Sequence, residues 1–147
     1  MTKYSAILLL TLLGSACVSM QPPEGYAAHE HWAYTLKAVS TEASVVALNQ
    51  FRNQDEQRGT LAFWSEAASK HLVRSRGYAA VKEGDFTSPR GKGHWMLFSK
   101  RFKGTEHLYM LGLVLEGDKI FALEAGGEKN SLEPDLDRLV KSFATLD

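Results

Sequence analysis

The sequence predicts an α+β domain, a mostly antiparallel β-sheet with helices packed on one or both of its faces. Three observations carry that reading. Apolar runs of strand length follow one another from Trp95 to Ala125. Two of them are joined by Gly117 and Asp118, a hairpin signal. Two further segments, Leu61 to Leu72 and Leu132 to Phe143, repeat their apolar residues at helical spacing instead.

In chain order, Trp32, Tyr34 and Leu36 alternate with Ala33, Thr35 and Lys37, the period of a half-buried strand. Ser44 to Phe51, centred on Val45, Val46 and Leu48, is the next strand, and the polar stretch Arg52 to Arg58 is a loop. Thr60 is placed to cap a helix in which Leu61, Trp64, Ala68 and Leu72 share a face and Glu66 stands four residues before Lys70. Lys70, Arg74 and Arg76 gather at the end that the helix dipole makes negative, and Gly77 is the stop. A strand over Ala79 to Phe86 and a loop over Thr87 to Gly93 follow. Trp95 to Phe102 and His107 to Glu116 are strands, and the near-continuous apolar run of the second predicts an interior position covered on both faces. Lys119 to Ala125 closes the hairpin. After Asn130 and Ser131, the residues Leu132, Leu136, Leu139, Val140 and Phe143 form one face of a terminal helix, with acids early and Lys141 late.

The first residues have a different character. Lys3 precedes an apolar run from Ala6 to Leu13, which is shorter than the about 20 residues needed to span a bilayer and reads as an export signal. It ends in Leu13, Gly14, Ser15, Ala16 and Cys17, which looks like a lipobox, although the leucine stands one place further from the cysteine than in the commonest pattern. Cys17 is the only cysteine among the 147 residues, so no intrachain disulfide is available, and lipidation would account for the residue. The expected organisation is a signal over 1–16, lipidated Cys17 with a tether over 17–29, and one domain over 30–147. Within the tether, Val18 to Ala28 carries Pro22, Pro23 and Gly25 and is expected to be extended, and the residues up to about Gln21 are expected to be dispensable for folding. Several acyl chains hold such a domain at a membrane without spanning it. Val18, and not Asp, follows the cysteine, so by similarity to enterobacterial lipoproteins the expected location is the outer membrane, facing the periplasm.

Lys plus Arg and Asp plus Glu each number 17, so no overall field points to nucleic acid. The charge is uneven along the chain. Nine cations between Lys70 and Lys103 face only Glu83 and Asp85, and acids dominate from Gly104 onward. The simpler expectation is that the two segments partly neutralise each other on folding; the alternative is a basic patch for an anionic partner.

The lipobox, the tether, an early helix ending in Gly77 and Tyr78, and the closing series of Tyr109-bearing strand, Gly-Asp hairpin, strand and amphipathic helix resemble the PsbP/Mog1/DcrB-like group. That resemblance implies an α/β/α sandwich and an accessory or binding role, not an enzyme.

Read for chemistry, the residues are sparing. His29 and His31 form a His-x-His pair, but His71, His94 and His107 are scattered, and no third ligand stands at a metal spacing. Ser88 to His94 is a basic glycine-containing loop, but it lacks the residues of a phosphate loop and leads into a strand. Glu124 stands among apolar neighbours in its strand. Trp32, Trp64 and Trp95 are most simply expected in the core or half-buried on the sheet; the alternative is that an exposed one marks a binding surface. No cofactor, metal or catalytic residue is assigned; Cys17 is the one site residue. The leading expectation is a membrane-anchored, non-enzymatic envelope domain whose partner is an envelope protein or a small apolar ligand held between sheet and helix. The alternative is a hydrolase or metal-dependent enzyme using His94, His107 or Glu124, which requires those three side chains to meet in one pocket.

Overall fold

Seven strands and one long helix account for most of the chain in a computed structural model that describes residues 17–53 and 58–147. The strands are β1 (Tyr26–His29), β2 (Leu36–Ser40), β3 (Val45–Arg52), β4 (Ala79–Ser88), β5 (Gly91–Phe102), β6 (Thr105–Glu116) and β7 (Lys119–Glu128). They form one antiparallel sheet in the order β1-β2-β3-β7-β6-β5-β4. Short hairpins join β4 through β7, and β7 closes the sheet against β3, so the long excursion through helix α1 (Leu61–Lys70) separates β3 from β4. Strands β6 and β7 are interior and apolar on both faces: Leu111, Leu113 and Ala122 are buried on one side, Met110, Val114, Phe121 and Leu123 on the other.

Each face has its own cover. Helix α1 lies over Met96, Phe98, Leu111, Leu113, Ile120 and Ala122 through Leu61, Trp64, Ala68 and Leu72. Thr60 caps it by accepting from the Phe63 N–H, and Glu66 pairs with Lys70 at 2.5 Å. The helix then widens into a π-turn, His71–Ser75, before Gly77 leaves it at φ +73°. The opposite face is covered by the C-terminal elements α2 (Lys129–Leu132) and α3 (Leu136–Phe143), with a short 3₁₀ turn, Glu133–Asp135, between them. The terminal helix expected to be continuous is interrupted because Pro134 has no N–H to donate into it. Phe143 is fully buried with its ring against Gly112, where any Cβ would lie within 2.8 Å of it.

Three expectations change. The segment read as a tether is packed on the domain. Met20 is 4% exposed in the same core cluster as Leu139 and Phe143. Ser19 and Asp147 exchange backbone hydrogen bonds of 2.7 and 2.9 Å, Ser142 donates to the Gln21 carbonyl, Arg138 reaches the Glu24 carbonyl, and Tyr26 donates to Asp135. Residues 19–26 thus run antiparallel along α3, and β1 begins at Tyr26. Prolines and glycine here select an extended path without freeing it from the surface.

Trp32 is the second correction. It sits in the β1–β2 turn, 95% exposed, because the Tyr34 N–H bonds the His31 carbonyl and the strand starts only at Leu36. The third is the loop expected over Thr87 to Gly93. Only Pro89 and Arg90 turn; β4 runs to Ser88 and β5 starts at Gly91. Gly93 is a glycine inside the ladder because the Phe86 ring lies on it, 2.3 Å from where a Cβ would be.

Candidate functional site

The face under α1 is only partly covered, since one helix spans about 10 Å and the sheet is seven strands wide. Between α1 and the β3–β7–β6 side a cleft of about 580 Å³ remains open. Trp64, Ala67, Ala68, His71 and Leu72 form its helical wall; Leu111, Leu113, Ile120 and Ala122 form its floor; Phe51 and Arg52 stand at the strand end. The π-turn contributes to this wall, since its first residues, His71 and Leu72, both line the cleft. Phe51 is 54% exposed there, a large apolar side chain at the margin of the cleft. Trp64 is held in place by its indole N–H, which donates to Asn53 at 3.1 Å, while the Asn53 side chain also exchanges hydrogen bonds with the Gly59 backbone.

Besides His71 in the wall and Arg52 at the strand end, one hydrogen-bonded pair interrupts the apolar floor. Tyr109 on β6 donates its hydroxyl to Glu124 on β7. Burial, then the Glu124 charge and hydrogen bond, and then the neighbouring phenols of Tyr78 and Tyr34 push the Tyr109 hydroxyl well above its ordinary range, so it stays protonated and remains a donor. A carboxylate with one oxygen occupied and an apolar surround can accept a further hydrogen bond from a donor entering the cleft.

The three residues of the enzymatic alternative do not meet in one pocket. Glu124 lines the cleft just described. His94 lies on the other flank of α1, in an open depression shared with Leu61, Ser65, Glu66, Lys70 and Met96. There its Nδ1 is 2.8 Å from Asp85 and its Nε2 3.2 Å from Glu83. Burial opposes the imidazolium, but the hydrogen bonds and charges of Asp85 and Glu83 outweigh it, and the His94 pKa is raised. Both ring nitrogens are thereby engaged. His107, near the β5–β6 turn, faces the Thr105 carbonyl and the Phe102 ring and lines neither cavity. His29 and His31 approach edge to face at 6.4 Å beside Trp32 and Tyr34. Among the described residues no group of three His, Cys, Asp or Glu side chains is arranged to hold a metal ion.

Cys17, the expected lipidation site, is exposed at the start of the described residues, and residues 1–16, which include the expected signal and most of the expected lipobox, lie outside them. Among the described residues no helix is long and apolar enough to cross a membrane.

Tyr109, Trp64, Phe51 and His71 were not singled out as a site by the sequence. A signal for one of them was present: counting down from the Gly117-Asp118 turn pairs Glu116 with Lys119 and Leu111 with Glu124, which sets Tyr109 one diagonal from Glu124. The π-turn that brings His71 into the wall left no such mark.

A single antiparallel sheet between a covering helix and a C-terminal helical layer is the PsbP-like fold, and comparison with solved structures bears this out. The chain is similar to LpqN of Mycobacterium tuberculosis, described as involved in cell envelope biogenesis, with a TM-score of 0.65 and 12% identity over 88% of this chain and 82% of that one. It is similar also to the cyanobacterial PsbP (CyanoP) of Synechocystis sp. PCC 6803, with a TM-score of 0.61 and 6% identity over 89% of this chain and 86% of that one. At such identities the likeness is one of fold. No family model matches the chain, and no curated protein matches it in sequence.

Proposed function

We propose that the chain is a lipid-anchored domain of the cell envelope, held through Cys17, that binds a small apolar ligand in the cleft between α1 and the sheet and catalyses no reaction. The observation that carries this reading is the cleft itself: about 580 Å³, mostly apolar on wall and floor, with the Tyr109–Glu124 pair, His71 in the wall and Arg52 at the strand end as its few polar groups. Pre-formed, mostly apolar pockets with few polar groups are the usual form of a small-molecule site. The separation of His94, His107 and Glu124 supports binding over catalysis, because acid–base or nucleophilic chemistry needs its groups within hydrogen-bond reach of one another or of a shared substrate. The envelope role described for LpqN agrees with an exported, anchored protein.

Two measurements test it. The neutral fluorophore N-phenyl-1-naphthylamine should brighten on binding, be displaced by single-chain fatty acids or alcohols, and lose affinity at least tenfold in Ala68→Phe, which fills the wall. Cys17→Ser should abolish membrane partition after signal removal. Unchanged dye binding in Ala68→Phe would remove the ligand from the cleft, and a membrane-bound Cys17→Ser protein would remove the anchor.

A further inference from the structure

Folding neutralises the uneven charge of the sequence only in part. Among the described residues one ion pair, Arg90 with Glu116 at 2.8 Å, joins the basic segment Lys70 to Lys103 to the acidic tail. Arg74, Arg76, Lys100, Arg101 and Lys103 form none. These five side chains come to one end of the domain. The end of α1 reaches β5 there, where the Lys100 ammonium donates to the Arg76 carbonyl at 2.6 Å, and β5 continues through Arg101 to the turn at Lys103 and Gly104. Glu106, which stands opposite Arg101 in the ladder, is already engaged by Lys129 at 3.4 Å.

An aromatic side chain stands among these cations. Phe102 is 57% exposed, with the Lys103 ammonium 5.4 Å from its ring centre. Arginines around an exposed aromatic are the composition of a protein-binding surface, since guanidinium groups grip carboxylates in pairs and the ring supplies the apolar anchor. A partner that is purely ionic, such as a polycarboxylate, would need the cations but not the ring, and a lipid surface does not suit an end that faces away from the proposed anchor.

The same geometry gives this end a direction. Residues 19–26 run back along α3, so Cys17 leaves the domain beside Asp147, past the end of α3 whose Phe143 packs on Gly112. Gly112 lies seven residues along β6 from Thr105 at the basic turn, roughly 23 Å of strand. The anchor and the cations therefore occupy opposite ends of the sheet.

We infer that the end formed by Arg74, Arg76, Lys100, Arg101, Phe102 and Lys103 is a docking surface for an acidic protein, presented on the side of the domain away from the membrane. The surface rests on where these side chains lie; its direction rests on the proposed anchor at Cys17. The partner carries clustered Asp or Glu side chains around an apolar residue.

The test uses the full lipidated protein in neutral phosphatidylcholine liposomes, and two labelled probes of equal charge: a peptide of Glu-Glu-Leu repeats and poly-L-glutamate. At physiological salt the peptide should bind several-fold tighter than poly-L-glutamate. Arg74→Glu with Arg76→Glu and Arg101→Glu should weaken it at least tenfold, Phe102→Ala should erase the advantage over poly-L-glutamate, and Lys92→Glu with Lys119→Glu should change neither. All these positions are at the surface, and circular dichroism verifies that each variant is folded. Equal loss from the two sets of charge reversals would mean general ion exchange and would overturn the inference. So would preferential binding of phosphatidylglycerol vesicles, or a peptide advantage that survives in Phe102→Ala. Repeating the titration with the Cys17→Ser protein separates the readings: if that protein leaves the membrane fraction, unchanged peptide affinity supports the surface, and lost affinity overturns it as a feature of the domain itself. If Cys17→Ser stays with the membrane, the anchor and the direction fail while the charge-reversal result still decides the surface.

Discussion

Tyr109 and Glu124 are diagonal neighbours on β6 and β7, and the phenol donates to the carboxylate inside a cleft whose lining is mostly apolar. The pair does two things at once: it satisfies a half-buried carboxylate, and it marks the polar contact available to a ligand. Tyr109→Phe removes the donor and leaves Glu124 with an unsatisfied oxygen, which should destabilise the fold by about 1.5 to 3 kcal/mol. Glu124→Gln should cost less, because the amide oxygen still accepts from Tyr109. Urea denaturation of the two variants measures the difference, and a smaller loss in Tyr109→Phe than in Glu124→Gln would contradict the role given to the phenol.

The N-terminal segment should behave as part of the domain. Met20 is buried against α3, and its truncation in Met20→Ala should cost about 2 to 5 kcal/mol. A protein beginning at Gly25 should melt at a clearly lower temperature than one beginning at Cys17. Coincident thermal melts of the two would restore the tether reading.

Phe143 is the closing contact of the opposite face. Its ring touches Gly112 and lies 6.1 Å from the ring of Phe86, so it ties α3 to β6 and the edge strand β4. Phe143→Ala should cost about 3 to 5 kcal/mol, a large part of the about 5 to 15 kcal/mol that holds an ordinary domain together. Chemical denaturation checks it; a change under 1 kcal/mol would mean that α3 contributes little to the core.

His94 supplies a pH dependence. Its folded-state pKa is raised, so its stabilising pair with Asp85 and Glu83 is fully present below the unfolded value of about 6.5 and is lost as pH rises through the folded value. Glu66 and Lys70 face the same depression from α1 but are paired with each other. Because both carboxylates of His94 are largely exposed, the effect should be under about 1 kcal/mol. Stability of the native protein should fall slightly across this range, and His94→Gln should flatten that segment of the curve. An unchanged slope in the variant would assign the titration to another group.

The sequence by itself determined the order and kind of the major elements. Local signals suffice for those: Thr60 and Gly77 bound α1 together with the π-turn that follows it, the Gly117-Asp118 turn sets the β6–β7 register, and the unalternating run from Tyr109 to Leu115 can be buried only in the sheet interior. Tertiary structure decided what such signals cannot carry. Proline and glycine in residues 22–25 look the same in a free tether and in a segment laid along α3, and only the Ser19–Asp147 and Gln21–Ser142 bonds across the whole chain distinguish them. The period of Trp32, Tyr34 and Leu36 is a strand pattern, but pairing begins at Leu36 and leaves Trp32 in solvent. The cleft and the basic end each join residues from α1 to residues from the sheet, so both depend on where one helix lies across seven strands, a choice made by packing and not by local propensity.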